Sequence, residues 1–354
     1  MKNLTLFYIK KRLPLFLIVL GISLVGSIVF VGTTEFVYYG RIYDEFGNYI
    51  IGRSIGDTSI SALSSLMLVF AVIIPIYEFS FKMKKTGCDL FYSLPIKRNK
   101  LYLFKYIFGI CEMISIFLIN FIIIVIITSI KLSGISYLNS SFIPGYYFLF
   151  LLVIIGIGIV VYSFIAFFYT RGNTFLDGLL SAFMASFVVM AAVFGVYWFF
   201  TSFKGFNIPD KLTELLRGTH YVPFIAGYEI ANVFDSLIQG KAVTQFMAPS
   251  IIGIIISSVS IPLFIILCGK DRAEDSEDIT DSWFTYKLML PIFIISLFMM
   301  LDFEIFIWIG VVIGGYIGYV IYDRNFLLRK KNLITLVTCI IIGMGLMGIK
   351  LIAR

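Results

Sequence analysis

Two acidic side chains stand where chemistry inside a membrane would need them. Glu112 lies about seven residues into a long apolar run, roughly 10 Å along a helix axis at about 1.5 Å per residue, and Asp177 opens another. Ionisable groups in a bilayer are costly, so they mark ion paths, proton relays or substrate contacts. Glu112 reads either as a helix-packing or boundary residue or as a substrate contact. Asp177 reads as a group in the first turn of its helix, favoured by the positive end of the helix dipole. Neither has an acid–base partner at hand. His220 is the only histidine, which rules out motifs that need two, and it reads as an interfacial side chain. Cys88, Cys111, Cys268 and Cys339 are scattered through predicted spans and inner loops, so they imply neither a disulfide framework nor a metal site. The chain has no G-x-x-x-x-G-K-[ST] loop, no H-E-x-x-H and no G-x-S-x-G. The first absence argues against ATP hydrolysis by this chain.

A second constellation lies in the segment from Glu78 to Lys105, where Lys82, Lys84, Lys85, Lys97, Arg98, Lys100 and Lys105 surround an apolar patch of Leu90, Phe91 and Leu94. Pro95 ends any helix there. The pattern predicts a short amphipathic helix on a membrane face, its apolar side against a partner or the bilayer; the alternative is a plain basic loop.

These residues must be positioned by membrane-spanning helices. Of 354 residues, 60% are hydrophobic and 14% charged, against roughly 25% charged in a soluble domain. Stretches such as Phe117–Ile127 are apolar on all sides, which excludes the period-two pattern of a barrel strand. The fold class expected is all-α and polytopic. Spans are predicted over Leu13–Gly32, Ser59–Tyr77, Tyr106–Ile130, Tyr146–Tyr169, Phe175–Phe200, Pro249–Cys268, Leu288–Leu301, Ile305–Tyr322 and Leu333–Ile349. The seventh is short and contains Pro291, so a re-entrant hairpin with the eighth is the alternative. With the amino terminus cytoplasmic and nine crossings, nineteen of the 28 Lys and Arg residues fall inside, as the positive-inside rule requires. Lys350 and Arg354 then end outside, a mild violation that eight crossings would relieve. The first span reads as a retained anchor. The basic residues cluster beside spans, so the net charge of +7 is a topology signal, and no nucleic-acid partner is expected.

Smaller signals complete the reading. Gly156 and Gly158, and the series Gly310, Gly314, Gly315 and Gly318 with its small-x-x-x-small spacing, are small residues that allow close helix approach. The outer segment 201–247 predicts two short amphipathic helices, Asn207–Gly218 and Tyr228–Ile238, which line an exit or seal the outer surface. The first outer loop, Thr33–Asp57, carries nothing diagnostic.

The inner segment resembles the membrane subunits of ABC-2-type exporters, on the order Asp89, Tyr92-Ser93-Leu94-Pro95, Lys97-Arg98, Lys105, with a second echo in Thr170-Arg171-Gly172-Asn173-Thr174. The likeness covers the first six spans. A narrower likeness to Gram-positive antibiotic- and bacteriocin-exporter permeases rests on Arg272, Asp275 and Glu277, which only approximate that subgroup's spacing. The resemblance implies a six-helix transmembrane domain over 1–268 with a coupling loop at 79–105, an inner polar linker at 269–287, and additional spans over 288–354. It implies a permease that is no enzyme and holds no cofactor. ATP and Mg would sit on a separate ABC ATPase subunit, and a second membrane subunit, identical or related, would close the path. It places the coupling helix at Lys85–Leu94, with Asp89, Phe91 and Leu94 transmitting ATPase closure. Pro95 follows, and Lys97, Arg98 and Lys105 anchor the helix to lipid phosphates or to the ATPase. The expected setting is a bacterial plasma membrane, the expected cargo amphipathic: a peptide antibiotic, a drug or a lipid-like molecule. The alternatives are a membrane-embedded lipid-modifying enzyme and a sensory or scaffolding subunit.

Overall fold

The computed structural model describes residues 2–33, 37–43, 49–55, 58–133, 144–203, 222–238, 247–268, 274, 276–300 and 305–353. His220, Arg272, Asp275 and the predicted helix at Asn207–Gly218 lie outside the described residues. The helices are α1 (Lys2–Thr33), α2 (Thr58–Phe79), α3 (Lys85–Tyr92), α4 (Arg98–Ser133), α5 (Pro144–Arg171), α6 (Phe175–Thr201), α7 (Pro223–Ile238), α8 (Met247–Ser258), α9 (Ser260–Leu267), α10 (Leu288–Met300), α11 (Ile305–Asp323) and α12 (Lys330–Ala353).

Among the described residues, eight helical segments are long and apolar enough to cross a membrane: Tyr8–Gly32, Ala62–Met83, Arg98–Ile130, Tyr147–Arg171, Phe175–Thr201, Ser250–Leu267, Trp283–Met300 and Lys330–Ile352, with a shorter apolar helix over Trp308–Asp323. Their outward faces carry bare apolar side chains such as Ile22, 70% exposed, a surface suited to lipid and costly in water. The chain is a polytopic helical membrane protein. One element departs from the helical expectation. The loop between the first two spans holds an antiparallel strand pair, β1 (Val37–Tyr43) and β2 (Tyr49–Ile55), registered with Gly40 opposite Gly52. Its cause is local: both strands are rich in Val, Ile and Tyr, the residues that favour pleated structure.

Proline accounts for the interruption between α8 and α9. Pro262 has no N–H, and its ring crowds the carbonyl of residue 258; α8 stops at Ser258 and α9 restarts at Ser260. The seventh predicted span gains length from a π turn, Trp283–Lys287, with Thr285 outside helical geometry, so the apolar segment starts before Leu288.

Among the described residues, two buried clusters hold the bundle. One joins α2, α4, α5 and α6 around Met67, Phe117, Ile154, Tyr162 and Ala182; the other joins α10, α11 and α12 around Leu290, Phe298, Tyr319 and Leu336. The α6–α10 contact bridges them, and Met184 borders both. Gly158, Gly315 and Gly318 do sit hard against neighbouring side chains, whereas Gly156, Gly310 and Gly314 face open space. Half of the small-residue spacing is thus used for packing within the chain.

Candidate functional site

The amphipathic helix expected between the second and third spans is α3. It starts after Lys84, whose backbone is extended and whose side chain does not cap it. The cap comes from afar: the Glu277 carboxylate accepts a hydrogen bond from the Lys85 N–H at 3.2 Å, a favourable place for an anion. Gly87 lets α3 press onto the preceding 3-10 turn, since a Cβ there would lie 2.4 Å from the Phe81 carbonyl oxygen. The helix ends at Tyr92, where the Ser93 N–H donates to the Asp89 carbonyl at 3.1 Å. Pro95 follows in the turn to α4.

The residues singled out by sequence divide into two sets. Lys85, Asp89, Pro95, Lys97 and Arg98 are exposed, and Leu94 is half-buried. Together with Thr86 and Ser93, also exposed, Asp89 and Leu90 form a stripe at helical spacing along α3. Leu90, which is 60% exposed, is the apolar side chain on that outer stripe. Phe91 points the other way, half-buried against Phe81 at 4.9 Å between ring centroids. Lys105 is also placed differently from expectation. It is buried, its ammonium 4.1 Å from the Phe91 ring centre and 4.2 Å from that of Phe81. It supports α3 from beneath rather than reaching lipid phosphates.

Lys105 belongs to a charge cluster that sequence reasoning missed. Glu78, 1% exposed at the end of α2, pairs with the Arg12 guanidinium, accepts from the Tyr8 hydroxyl at 2.6 Å and lies 3.9 Å from the Lys105 ammonium. Lys105 donates in turn to the Tyr8 hydroxyl at 2.8 Å, and Arg12 covers the Tyr77 ring at 4.0 Å. A charge buried at a membrane boundary demands such pairing.

A second network surrounds Asp177. Thr174 caps α6 by accepting from the Asp177 N–H at 3.2 Å, and the turn before it is tight: a Cβ on Gly172 would lie 2.3 Å from the Gly178 nitrogen. The Asp177 carboxylate accepts from Thr280 at 2.9 Å, Tyr286 at 3.1 Å and Arg324 at 3.2 Å. Asp177 is therefore more than a first-turn charge: it ties the linker and the α11–α12 turn to α6. Arg324 also donates to the Glu277 carbonyl at 3.1 Å. Both Glu277 (φ 68°) and Arg324 (φ 52°) hold left-handed backbone, a conformation that non-glycine residues keep only when surroundings impose it. Ser276 donates to the Lys82 carbonyl at 2.7 Å. The linker is thus clamped between α3 and the carboxyl-terminal helices.

An apolar cleft of about 410 Å³ opens between α2, α5, α6 and α7, with Ile73, Ile76, Phe183, Phe187 and Phe224 among its walls and Ser186 the one polar side chain among the described residues that line it. Among the described residues no group of three or more His, Cys, Asp or Glu is placed to hold a metal ion. No family model, curated protein or solved structure matches the chain.

Proposed function

We propose that this chain is the membrane-spanning permease subunit of an ATP-driven exporter of the ABC-2 type. The single observation that carries the reading is α3, an eight-residue helix at the junction of two spans, solvent-exposed along one stripe and braced from behind by Phe81, Lys105 and Glu277. A helix held so firmly while offering Asp89, Leu90 and a basic rim outward is suited to receive force from a partner. That partner would be an ABC ATPase subunit carrying ATP and Mg, and a second membrane subunit, identical or related, would complete the path. The apolar cleft favours an amphipathic cargo, because among the described residues it offers hydrophobic wall with a single hydroxyl. The setting is a bacterial plasma membrane with the amino terminus and α3 on the cytoplasmic side, where the basic clusters belong.

The test is purification of the tagged full chain from its native membrane in mild detergent, with partner identification and an ATPase assay. The expected result is a co-purifying subunit with a Walker loop, whose ATP hydrolysis loses its response to cargo when Asp89→Ala is combined with Leu90→Ala. A chain that purifies alone, or a double variant with unchanged coupling, defeats the proposal.

A further inference from the structure

A second cleft, of about 220 Å³, lies between α1 and α4 and is walled by Ile9, Leu13, Phe16 and Phe108. Two charged side chains reach into these apolar walls, Arg12 and Glu112, which are 7% and 8% exposed. Arg12 Nη1 and Glu112 Oε2 are both buried without a hydrogen-bond partner among the described residues. The two groups are close enough to interact electrostatically, yet no ion pair joins them. Arg12 keeps its Glu78 pair through Nη2, but leaving Nη1 and the Glu112 oxygen without hydrogen bonds is expensive, so the cleft suits a ligand that accepts from Arg12 and donates to Glu112. A single water could do both, but it needs only about 10–15 Å³ of such space. The cleft is far larger and opens sideways past Ile9 and Leu13, both more than two-fifths exposed. A ligand with an apolar body entering from the bilayer fits that shape.

Charge selects the headgroup. Among the buried members of the cluster, Arg12 and Lys105 are balanced by Glu78 and Glu112, while Lys11 beside them is exposed; a zwitterionic ligand preserves the neutrality of the buried set. We infer that the α1–α4 cleft binds an inner-leaflet phospholipid bearing a primary ammonium, its phosphate on Arg12, its ammonium on Glu112 and its acyl chains along Leu13 and Phe16. The site does not depend on the transport reading, because it needs neither ATPase nor cargo.

The experiment is native mass spectrometry of the purified full chain with equimolar phosphatidylethanolamine, phosphatidylcholine and phosphatidylglycerol of identical acyl chains. The quaternary ammonium of phosphatidylcholine has no N–H to donate. The ethanolamine lipid should be retained over the choline lipid by about tenfold, the worth of one charge-assisted hydrogen bond. Glu112→Leu should bring the ratio near one, and Leu13→Trp, which closes the mouth at a lipid-facing position and leaves the charges alone, should lower retention of the ethanolamine lipid several-fold. Equal retention of ethanolamine and choline lipids, stronger retention of phosphatidylglycerol, or a preference that survives both variants overturns the assignment. The measurement uses no nucleotide or partner, so its failure leaves the exporter proposal standing.

Discussion

Removing the Glu78 carboxylate would leave the Arg12 guanidinium and the Lys105 ammonium buried without a contacting counter-charge, since Glu78 is the acidic group that both contact. Loss of one partner in a buried pair costs about 3–5 kcal/mol. Glu78→Ala should therefore lower the thermal midpoint of the purified protein sharply, and adding Arg12→Leu should recover part of the loss, because the pair as a whole contributes far less than either orphaned half costs. Additive losses in the double variant would contradict this account. Glu78 also shows where a one-dimensional reading stops. Glu112 stands out in sequence because apolar residues surround it, whereas Glu78 ends its span beside a basic loop and looks solvated. Its partners Tyr8 and Arg12 lie 70 and 66 residues away, a separation that no local pattern encodes.

At the scale of elements, α3 was legible because its signals are local: basic flanks, a short apolar patch and a proline to stop it. Its orientation was not, because which face is buried depends on Phe81 and Lys105 folding beneath it. The strand pair β1–β2 was legible in principle from its Val, Ile and Tyr content but competes, in such an apolar chain, with the stronger signal of the spans. Glu277 drew notice only through an imperfect motif, while its work is geometric: its side chain caps α3 and its carbonyl receives Arg324. Loss of that cap should loosen α3. Amide hydrogen exchange over residues 85–92 should speed up several-fold in Glu277→Ala. Glu277→Gly should show the same acceleration although it relaxes the left-handed backbone, which separates the cap from the strain. Unchanged protection in both variants would mean that Phe81, Gly87 and Lys105 hold the helix without the cap.

For the whole molecule, the contacts at one end of the bundle constrain topology more tightly than charge counting does. Arg12 and Lys105 both meet Glu78, Lys105 lies under α3, the Lys85 backbone meets Glu277, and Glu277 meets Arg324. All four basic clusters read as inner from sequence thus share one end. Because Glu277 precedes α10 and Arg324 follows α11, that pair of helices leaves and returns to the same end. It crosses twice or not at all. With 19 residues in α11, about 28 Å at about 1.5 Å per residue, two crossings match the roughly 30 Å apolar core. Either way the number of crossings is odd once α12 leaves, so an eight-span count, attractive because it would bring Lys350 inside, conflicts with the Glu277–Arg324 contact. Lys350, one of the two basic residues that made nine crossings look awkward, is buried. The consequence is measurable with single cysteines and a membrane-impermeant thiol reagent. Cysteines replacing Lys85 and Lys330 should label from the same side, and one replacing Ile352, which is 89% exposed, only from the other. Labelling of Ile352→Cys from the side of α3 would place an even number of crossings in the chain and break the clamp that links Glu277 to Arg324.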